Sequence, residues 1–288
     1  PARPSGGNDQ TSGRRQPGMA ETTEFSGGIV RLERDDDGVA RVVLNDPDRR
    51  NALSVAMTEG IEAAIDQLEG GDARCVVFEG EGPAFCAGGD IDSMLERQDS
   101  DEPVDHAVRH VIQDIGRCVK RVYECEFPTV ARIDGAAFGA GANLAIACDV
   151  TALHEDAQIG FGFREVGLAV DSGTSYLLPR LVGENVAKEL VYTGELLDAD
   201  RAEELGVVNH AVAADEFDAR VSMLVDRVAS GPTVALRTSK RLLRSEFATL
   251  GEAIEHEAGA QAAVFDTHDH DEGVSAFTEK RQPEFEGR

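Results

Sequence analysis

What this chain lacks narrows its identity first. No run approaches the roughly 18 uninterrupted apolar residues that a membrane span requires, and residues 1–28 hold no apolar core of the kind a secretory leader carries. The expectation is a soluble, cytoplasmic protein with no membrane partner. No Cys-x-x-Cys pair occurs, and the five cysteines (Cys75, Cys86, Cys118, Cys125, Cys148) are odd in number and sit mostly in apolar segments. That pattern speaks against a disulfide framework or a zinc site and reads as reduced core thiols. Positive charge is scarce: 28 Lys+Arg stand against 54 Asp+Glu, a formal charge of -26. Such a surface repels phosphates, which argues against a general nucleic-acid partner. Lysine is scarcest of all, with only Lys120, Lys188, Lys240 and Lys280. At molar salt the Debye length falls to about 3 Å and self-repulsion is screened, so the composition reads as halophilic, adapted to a high-salt cytoplasm. An ordinary acidic protein is the plainer alternative, against which the lysine depletion weighs.

What is present is enough for a sizeable core. The 288 residues, 41% of them hydrophobic, suit one domain of about 250 residues with appendages. Residues 1–27, rich in Gly, Ser, Pro, Gln and Arg without an apolar period, read as a disordered tail or the remnant of an added segment, with Met19 a candidate natural start. Two apolar runs at 29–33 and 39–44 around an acidic turn predict a β-hairpin. Helical spacing at 54–68 followed by the strand-like Cys75-Val76-Val77-Phe78 implies a crossover unit. The pattern recurs in a helix at 104–123, a strand at 129–133, a helix at 141–147 and a strand at 150–153. Repeated units of this kind predict an α/β fold with a mostly parallel sheet. From residue 172 onward the chain reads as helical. The expected organisation is a core over 28–210 and a C-terminal helical region over 211–288.

Two segments carry candidate chemistry. Pro83-Ala84-Phe85-Cys86-Ala87-Gly88-Gly89-Asp90-Ile91 follows a strand and precedes a helix, and its small residues let backbone N–H groups approach a ligand. Alone, such a corner is more often only a turn. A second corner of the same type runs from Asp134 through Gly139-Ala140-Gly141-Ala142-Asn143. Two corners, each exposing a backbone donor, could together hold one oxyanion.

These two segments resemble the ordered signature of the crotonase (enoyl-CoA hydratase/isomerase) superfamily. Asp171-Ser172-Gly173-Thr174 through Leu178-Pro179-Arg180-Leu181-Val182-Gly183 continues that signature, with Asn45-Asp46-Pro47 to Leu53 before it and Glu272-Gly273-Val274 to Lys280-Arg281 after it. The resemblance implies a spiral of β-β-α units, a C-terminal helical region that serves oligomerisation, and homotrimers or homohexamers. It implies an acyl-CoA substrate and no cofactor beyond the CoA which that substrate carries. It further implies that the backbone N–H groups of Ala87 and Ala140 hold the thioester oxygen. The nucleotide part of CoA is expected against Arg49, Arg50 and Ala52 and against Ala87, Gly88, Gly89, Asp90 and Ile91, with Lys280 a phosphate contact.

Hydratases similar to this sequence carry a Glu where Asn143 stands, and a second Glu in the loop around 161–163; both are missing. What remains is Asp171, resembling the catalytic Asp of dienoyl-CoA isomerases and of the ring-epoxide isomerases of phenylacetate catabolism. One carboxylate suffices for a 1,3-proton shift, whereas hydration needs a water oriented by acid/base groups. The expectation is therefore an isomerase in which Asp171 is the acid/base, its carboxyl desolvated by Leu168-Ala169-Val170. Plainer roles exist: Asp171 as the N-cap of the following helix, the chain as an enoyl-CoA hydratase, or a non-catalytic CoA-binding homologue. Phe161, Phe163 and Tyr176 read as acyl-pocket walls or as ordinary core. Asp90 reads as a turn-fixing cap, His268 and His270 as exposed in an acidic turn, and His106 and His110 as a solvated helix face rather than metal ligands.

The charge imbalance generates the first prediction. Folding and subunit packing should both depend on salt. Thermal melts and light scattering between low and molar KCl are expected to show Tm rising and trimers or hexamers forming with salt. A Tm that is flat or falls across that range would remove the high-salt reading.

Overall fold

A computed structural model describes residues 21–98 and 103–288. Its first element lies where the sequence reading places a disordered tail: β1 (Glu21–Phe25) pairs antiparallel with β2 (Val30–Arg34), from Glu21↔Arg34 to Phe25↔Val30. The five residues of β1 have little to bury alone, but an open sheet edge satisfies their backbone groups. The expected tail is thereby corrected for 21–27, and its remainder, residues 1–20, lies outside the described residues. The hairpin forms as expected, with β2 antiparallel to β3 (Val39–Leu44). Asp35 closes its turn by accepting from the N–H groups of Asp37 and Val39.

Ser54 caps α1 (Val55–Leu68) by accepting from the Met57 N–H at 3.2 Å. The buried stripe of α1, Met57, Ile61, Ala64, Ile65 and Leu68, enters the main core. From β4 (Cys75–Gly80) a three-part unit repeats: a strand in a main sheet, a very short strand in a second sheet, then a helix. The first unit is β4, β5 (Ala84–Cys86) and α2 (Ile91–Gln98). A helical rod follows, made of α3 (Val104–Arg109), a π-helical segment His110–Ile115 and α4 (Gly116–Glu124). The second unit is β6 (Thr129–Ile133), β7 (Ala136–Phe138) and α5 (Ala140–Ile146); the third is β8 (Val150–His154), β9 (Ile159–Gly160) and α6 (Thr174–Val182). α7 (Glu184–Thr193), β10 (Leu196–Leu197), α8 (Ala199–Glu204) and β11 (His210–Val212) complete the turn.

The main sheet has seven strands in the order β1-β2-β3-β4-β6-β8-β11, parallel from β3 onward. The second sheet has four, β10-β9-β7-β5. This is the β-β-α spiral that the resemblance implies. The sequence reading did not anticipate the second sheet, because strands of two or three residues leave no periodic signal.

The C-terminal helices are α9 (Phe217–Ala229), α10 (Thr233–Arg244), α11 (Leu250–Phe265) and α12 (His268–Glu279). Phe217, Val221, Val225 and Ala229 of α9 pack on Val39, Cys75, Val77, Val130, Ala152 and Val212. A parallel sheet must be covered on both faces, and α9 supplies the second cover. The expected boundary at 210/211 therefore cuts through β11 and separates a helix from the sheet it buries. All five cysteines are buried and unpaired. Among the described residues no helix is long and apolar enough to cross a membrane.

Two acids pin the C-terminal region. Asp269 is buried in the first turn of α12 and accepts from the N–H groups of Glu286 at 2.7 Å and Gly287 at 2.9 Å. Asp149 accepts from the Thr129 N–H at 2.7 Å and Oγ1 at 2.9 Å, and pairs with Lys240 at 2.7 Å and Arg244 at 2.6 Å on α10. Removing this carboxylate strands two largely buried cations. Asp149→Ala is expected to cost about 3–5 kcal/mol, read from urea titrations at constant molar KCl. A loss below about 1 kcal/mol, the level of an exposed pair, would mean that α10 is held by its apolar face instead.

Candidate active site

β5 and β7 lie side by side and parallel, with Ala84 opposite Ala136 and Cys86 opposite Ala137. Each ends in a small-residue corner, so the pairing brings the two corners together. A Cβ built on Gly88, whose φ is +94°, would stand 2.5 Å from the Phe138 carbonyl oxygen and 3.5 Å from the Ala140 nitrogen. A Cβ on Gly141 would meet the Cys86 carbonyl oxygen at 2.1 Å. Only glycine at both positions allows this approach.

The segment 50–53 runs along the first corner as an added strand. The Ala87 N–H donates to the Arg50 carbonyl at 3.0 Å, and the Leu53 N–H to the Gly88 carbonyl at 2.8 Å. Asn51, fully buried and left-handed at φ 55°, donates through Nδ2 to the carbonyls of Ala84 at 2.8 Å and Glu81 at 3.0 Å. These bonds correct one expectation. The Ala87 N–H is consumed inside the protein and is not a free donor. Among the described residues the N–H groups of Gly89 and Ala140 have no acceptor, so at the first corner the open N–H is that of Gly89 and not that of Ala87. Ala140 is the first residue of α5, where backbone N–H groups have no partner within the helix.

Asp90 is buried, accepts from Ser93 Oγ at 2.8 Å and pairs with Arg49 at 3.4 Å. It ties the residue before α2 to the 46–50 turn, as a fixing group does. Arg50 and Ile91 are exposed beside this corner, and Ala52 is buried. Lys280 closes α12 in a left-handed conformation, and among the described residues no hydrogen bond or ion pair joins it to the corner.

The second constellation lies across α5 and α6. Asn143 is fully buried; its Nδ2 donates to the Asp171 carbonyl at 3.1 Å and to Thr174 Oγ1 at 2.8 Å. Thr174 donates to the same carbonyl through its N–H at 3.0 Å and its Oγ1 at 2.9 Å. The backbone at Asp171 is thus fixed by three donors, while among the described residues its carboxylate takes only the Ser172 hydroxyl, at 2.7 Å. The cap of α6 is Gly173, with no side-chain cap bond, so the N-cap role for Asp171 is not realised. Desolvation raises the Asp171 carboxyl above the usual carboxylate range, against lowering by the Ser172 hydrogen bond and by the charge of His110. Leu168, expected to dry the carboxyl, is itself 46% exposed.

Phe161 and Phe163 are buried, and Tyr176 lies on the surface with the Arg180 guanidinium 3.5 Å from its ring centroid. His106 is exposed, whereas His110, expected on a solvated face, is half-buried with Asp114 2.7 Å from its Nδ1. Among the described residues no group of three His, Cys, Asp or Glu side chains could hold a metal. Sequence reasoning gave no separate role to Asn51 or Thr174, and it placed His110 on a solvated face.

A fold of β-β-α turns with two touching backbone corners defines a class, and comparison with known proteins agrees. The family model described as Enoyl-CoA hydratase/isomerase matches residues 34–288. The chain belongs to that family. A Thermus thermophilus protein named "Putative enoyl-CoA hydratase" is 39% identical over 262 residues, covering 89% of this chain and all of its own length. The 1,2-epoxyphenylacetyl-CoA isomerase of Escherichia coli K12 is 31% identical over 259 residues, 89% of this chain and 98% of its own. The crystal structure of an enoyl-CoA hydratase from Bacillus anthracis superposes with a TM-score of 0.83 at 31% identity, covering 90% of this chain and 100% of its own.

The contact between corners makes a prediction whose sign opposes helix propensity. In a helix Gly→Ala ordinarily gains up to about 1 kcal/mol. Gly141→Ala instead drives a methyl into the Cys86 carbonyl and is expected to cost about 1–3 kcal/mol, with a larger proportional loss of thioester turnover. Urea melts and turnover on one preparation check this. A stabilised or fully active variant would show that the corners do not touch.

Proposed function

We propose that this chain is an acyl-CoA isomerase, shifting a double bond or rearranging a ring epoxide of a CoA thioester through an enolate. The N–H groups of Gly89 and Ala140 hold the thioester oxygen, and Asp171 moves the proton. The observation that carries this reading is the division of labour between Asn143 and Asp171. Asn143, where a hydratase-like sequence would have a second acid, spends its amide on the Asp171 carbonyl and Thr174. Among the described residues of that constellation the one titratable side chain is that of Asp171, with a carboxyl raised by desolvation. A base poised nearer neutrality is better matched to a weakly acidic C–H than an ordinary carboxylate.

With the oxygen held by two fixed donors, loss of the proton next to the carbonyl gives a stabilised enolate. Removing one such donor typically costs about 2.7–4 kcal/mol of transition-state stabilisation. Arg49, Arg50 and Ala52, with the corner from Gly88 to Ile91, take the nucleotide part of CoA, and Lys280 a phosphate. The reaction needs no cofactor besides the CoA of the substrate. Leu243 at 86% and Phe277 at 88% exposure leave apolar patches on α10 and α12, which supports assembly into trimers or hexamers through the C-terminal helices. The light scattering at molar KCl described above reads that state directly.

The relatives named above include a hydratase and an isomerase, so the deciding experiment is a side-by-side assay at high salt. A β,γ-enoyl-CoA, crotonyl-CoA and an aryl-CoA epoxide are offered to wild type, Asp171→Asn and Asn143→Ala. Isomerisation should exceed hydration. Asp171→Asn should lower kcat by a factor on the order of 10²–10⁴ with thioester binding largely intact. Asn143→Ala should be milder, since Thr174 still holds the Asp171 carbonyl. The base must be ionised, so the rate should fall as pH drops through the raised Asp171 pKa, above the usual value of about 4. Dominant crotonyl-CoA hydration, insensitive to Asp171→Asn, would overturn both the reaction and the residue.

A further inference from the structure

The turn that leads from Asp171 into α6 holds a residue its backbone disfavours. The Thr174 N–H donates to the Asp171 carbonyl at 3.0 Å, which closes a tight turn over 171–174. Its two central residues are both left-handed, Ser172 at φ 49° and Gly173 at φ 90°. Positive φ at both centres is the pattern of a type I′ turn, which glycine, asparagine and aspartate dominate. Glycine stands at the second centre, as that rule asks. Serine at the first does not follow it, because its Cβ is held in a region that side chains of L-residues seldom enter. Ser172 is also buried, so its hydroxyl needs a partner.

That partner is the carboxylate next to it. Ser172 Oγ donates to Asp171 Oδ1 at 2.7 Å, and among the described residues this is the one side-chain bond of Ser172. The turn is tied down from both ends, since the Asp171 carbonyl also accepts from Asn143 Nδ2 at 3.1 Å and from Thr174 Oγ1 at 2.9 Å. Surroundings that over-determine the backbone are the condition under which a strained residue persists, and such residues cluster at functional sites. Glycine would suit this backbone better but could not make the bond. An aspartate side chain on a turn is otherwise free to change rotamer. One short hydrogen bond to Oδ1 removes that freedom and, among the described residues, leaves Oδ2 without a donor.

We propose that Ser172 is the positioning residue of this site: from its left-handed backbone it holds Oδ1 of Asp171, so that Oδ2 alone is presented to the substrate proton. The proposal rests on the isomerase reading above and deepens it, because it names the atom that takes the proton. Oδ2 gains the proton in the first transfer and returns it in the second. Oδ1 stays bonded to the hydroxyl throughout, so Ser172 neither gains nor loses a proton. Placement matters at this step, since a misplacement of about 1 Å can be worth on the order of 10²-fold in rate. The hydroxyl has a second effect, opposite to that of burial. By donating to the ionised carboxylate it favours that form and lowers a pKa that desolvation raises. The charge of His110 also lowers it and is common to every variant below.

The experiment compares wild type, Ser172→Ala, Ser172→Gly and Asp171→Asn as full chains at molar KCl, on whichever thioester wild type turns over fastest in the assay above. Alanine removes the hydroxyl and keeps the disfavoured backbone; glycine removes the hydroxyl and relieves the backbone. Both variants should lower kcat by a factor on the order of 10–10² with KM little changed. Both should also move the acid limb of the kcat profile to higher pH, because the carboxyl has lost a donor that favours its ionised form. Thermal melts should separate them, with Ser172→Gly unfolding at a higher temperature than Ser172→Ala, since left-handed backbone suits glycine. Activity then follows the hydroxyl and stability follows the backbone. The proposal is overturned if Ser172→Ala keeps wild-type kcat, if kcat falls with the acid limb unmoved, or if Ser172→Gly is as fast as wild type, for the residue would then only shape the turn. Asp171→Asn separates this proposal from the reading beneath it. A fully active Asp171→Asn would sink the Asp171 assignment and the role of Ser172 together, whereas an inactive Asp171→Asn beside a fully active Ser172→Ala would remove the role of Ser172 alone.

Discussion

The close approach of two backbone corners governs this structure. β5 and β7 are three residues each and could not persist in isolation, yet their parallel pairing places the Gly88 corner against Phe138 and Ala140, and the Gly141 turn against Cys86. Nothing larger than hydrogen fits at either glycine. The arrangement also needs support from behind, which Asn51 supplies from the left-handed turn before α1. Because Arg50 and Gly88 are zipped to Ala87 and Leu53, the corner has one fewer free donor than its sequence suggests. Rigid donors are worth most when they need no reorganisation as charge develops, and a backbone locked by neighbouring strands meets that condition better than side chains would.

A second device holds the carboxylate rather than the oxygen. Asp171 is fixed through its main chain by Asn143 and Thr174, leaving its side chain committed only to Ser172. Anchoring the backbone and sparing the carboxylate keeps the acid aimed without burying it in strong donors that would depress its pKa. The same separation recurs at His110, where Asp114 takes one ring nitrogen and leaves the other.

The acidity of the chain is not merely a surface coat. Asp149 and Asp269 are structural anions, one neutralised by Lys240 and Arg244, the other accepting backbone N–H groups of the C-terminal tail. Lys240, one of only four lysines, is largely buried, with Nζ donating to the Phe127 carbonyl at 2.6 Å. A burial site of this kind requires a cation whatever the salt outside, so this lysine persists in a chain otherwise depleted of them.

The order of the longer helices and of the strands β2, β3, β4, β6 and β8, the two small-residue corners and the candidacy of Asp171 were legible in the sequence, because each rests on local pattern: apolar period, glycine runs and a motif in order. The hairpin at β2–β3, α1 with its Ser54 cap, and the strands β4, β6 and β8 all lie where periodicity places them. Other features had no local signal. β1 exists because an edge was available, α9 packs on the sheet across the expected 210/211 division, which falls inside β11, and the second sheet consists of strands too short to have a period. Whether a given N–H is free is a question about partners distant in sequence, so only tertiary structure could show that the Ala87 N–H is taken and the Gly89 N–H open. The partial burial of His110 depends likewise on which face of its segment packs on α1. Local pattern determined which residues could act, and packing decided which of their atoms remain open to do so.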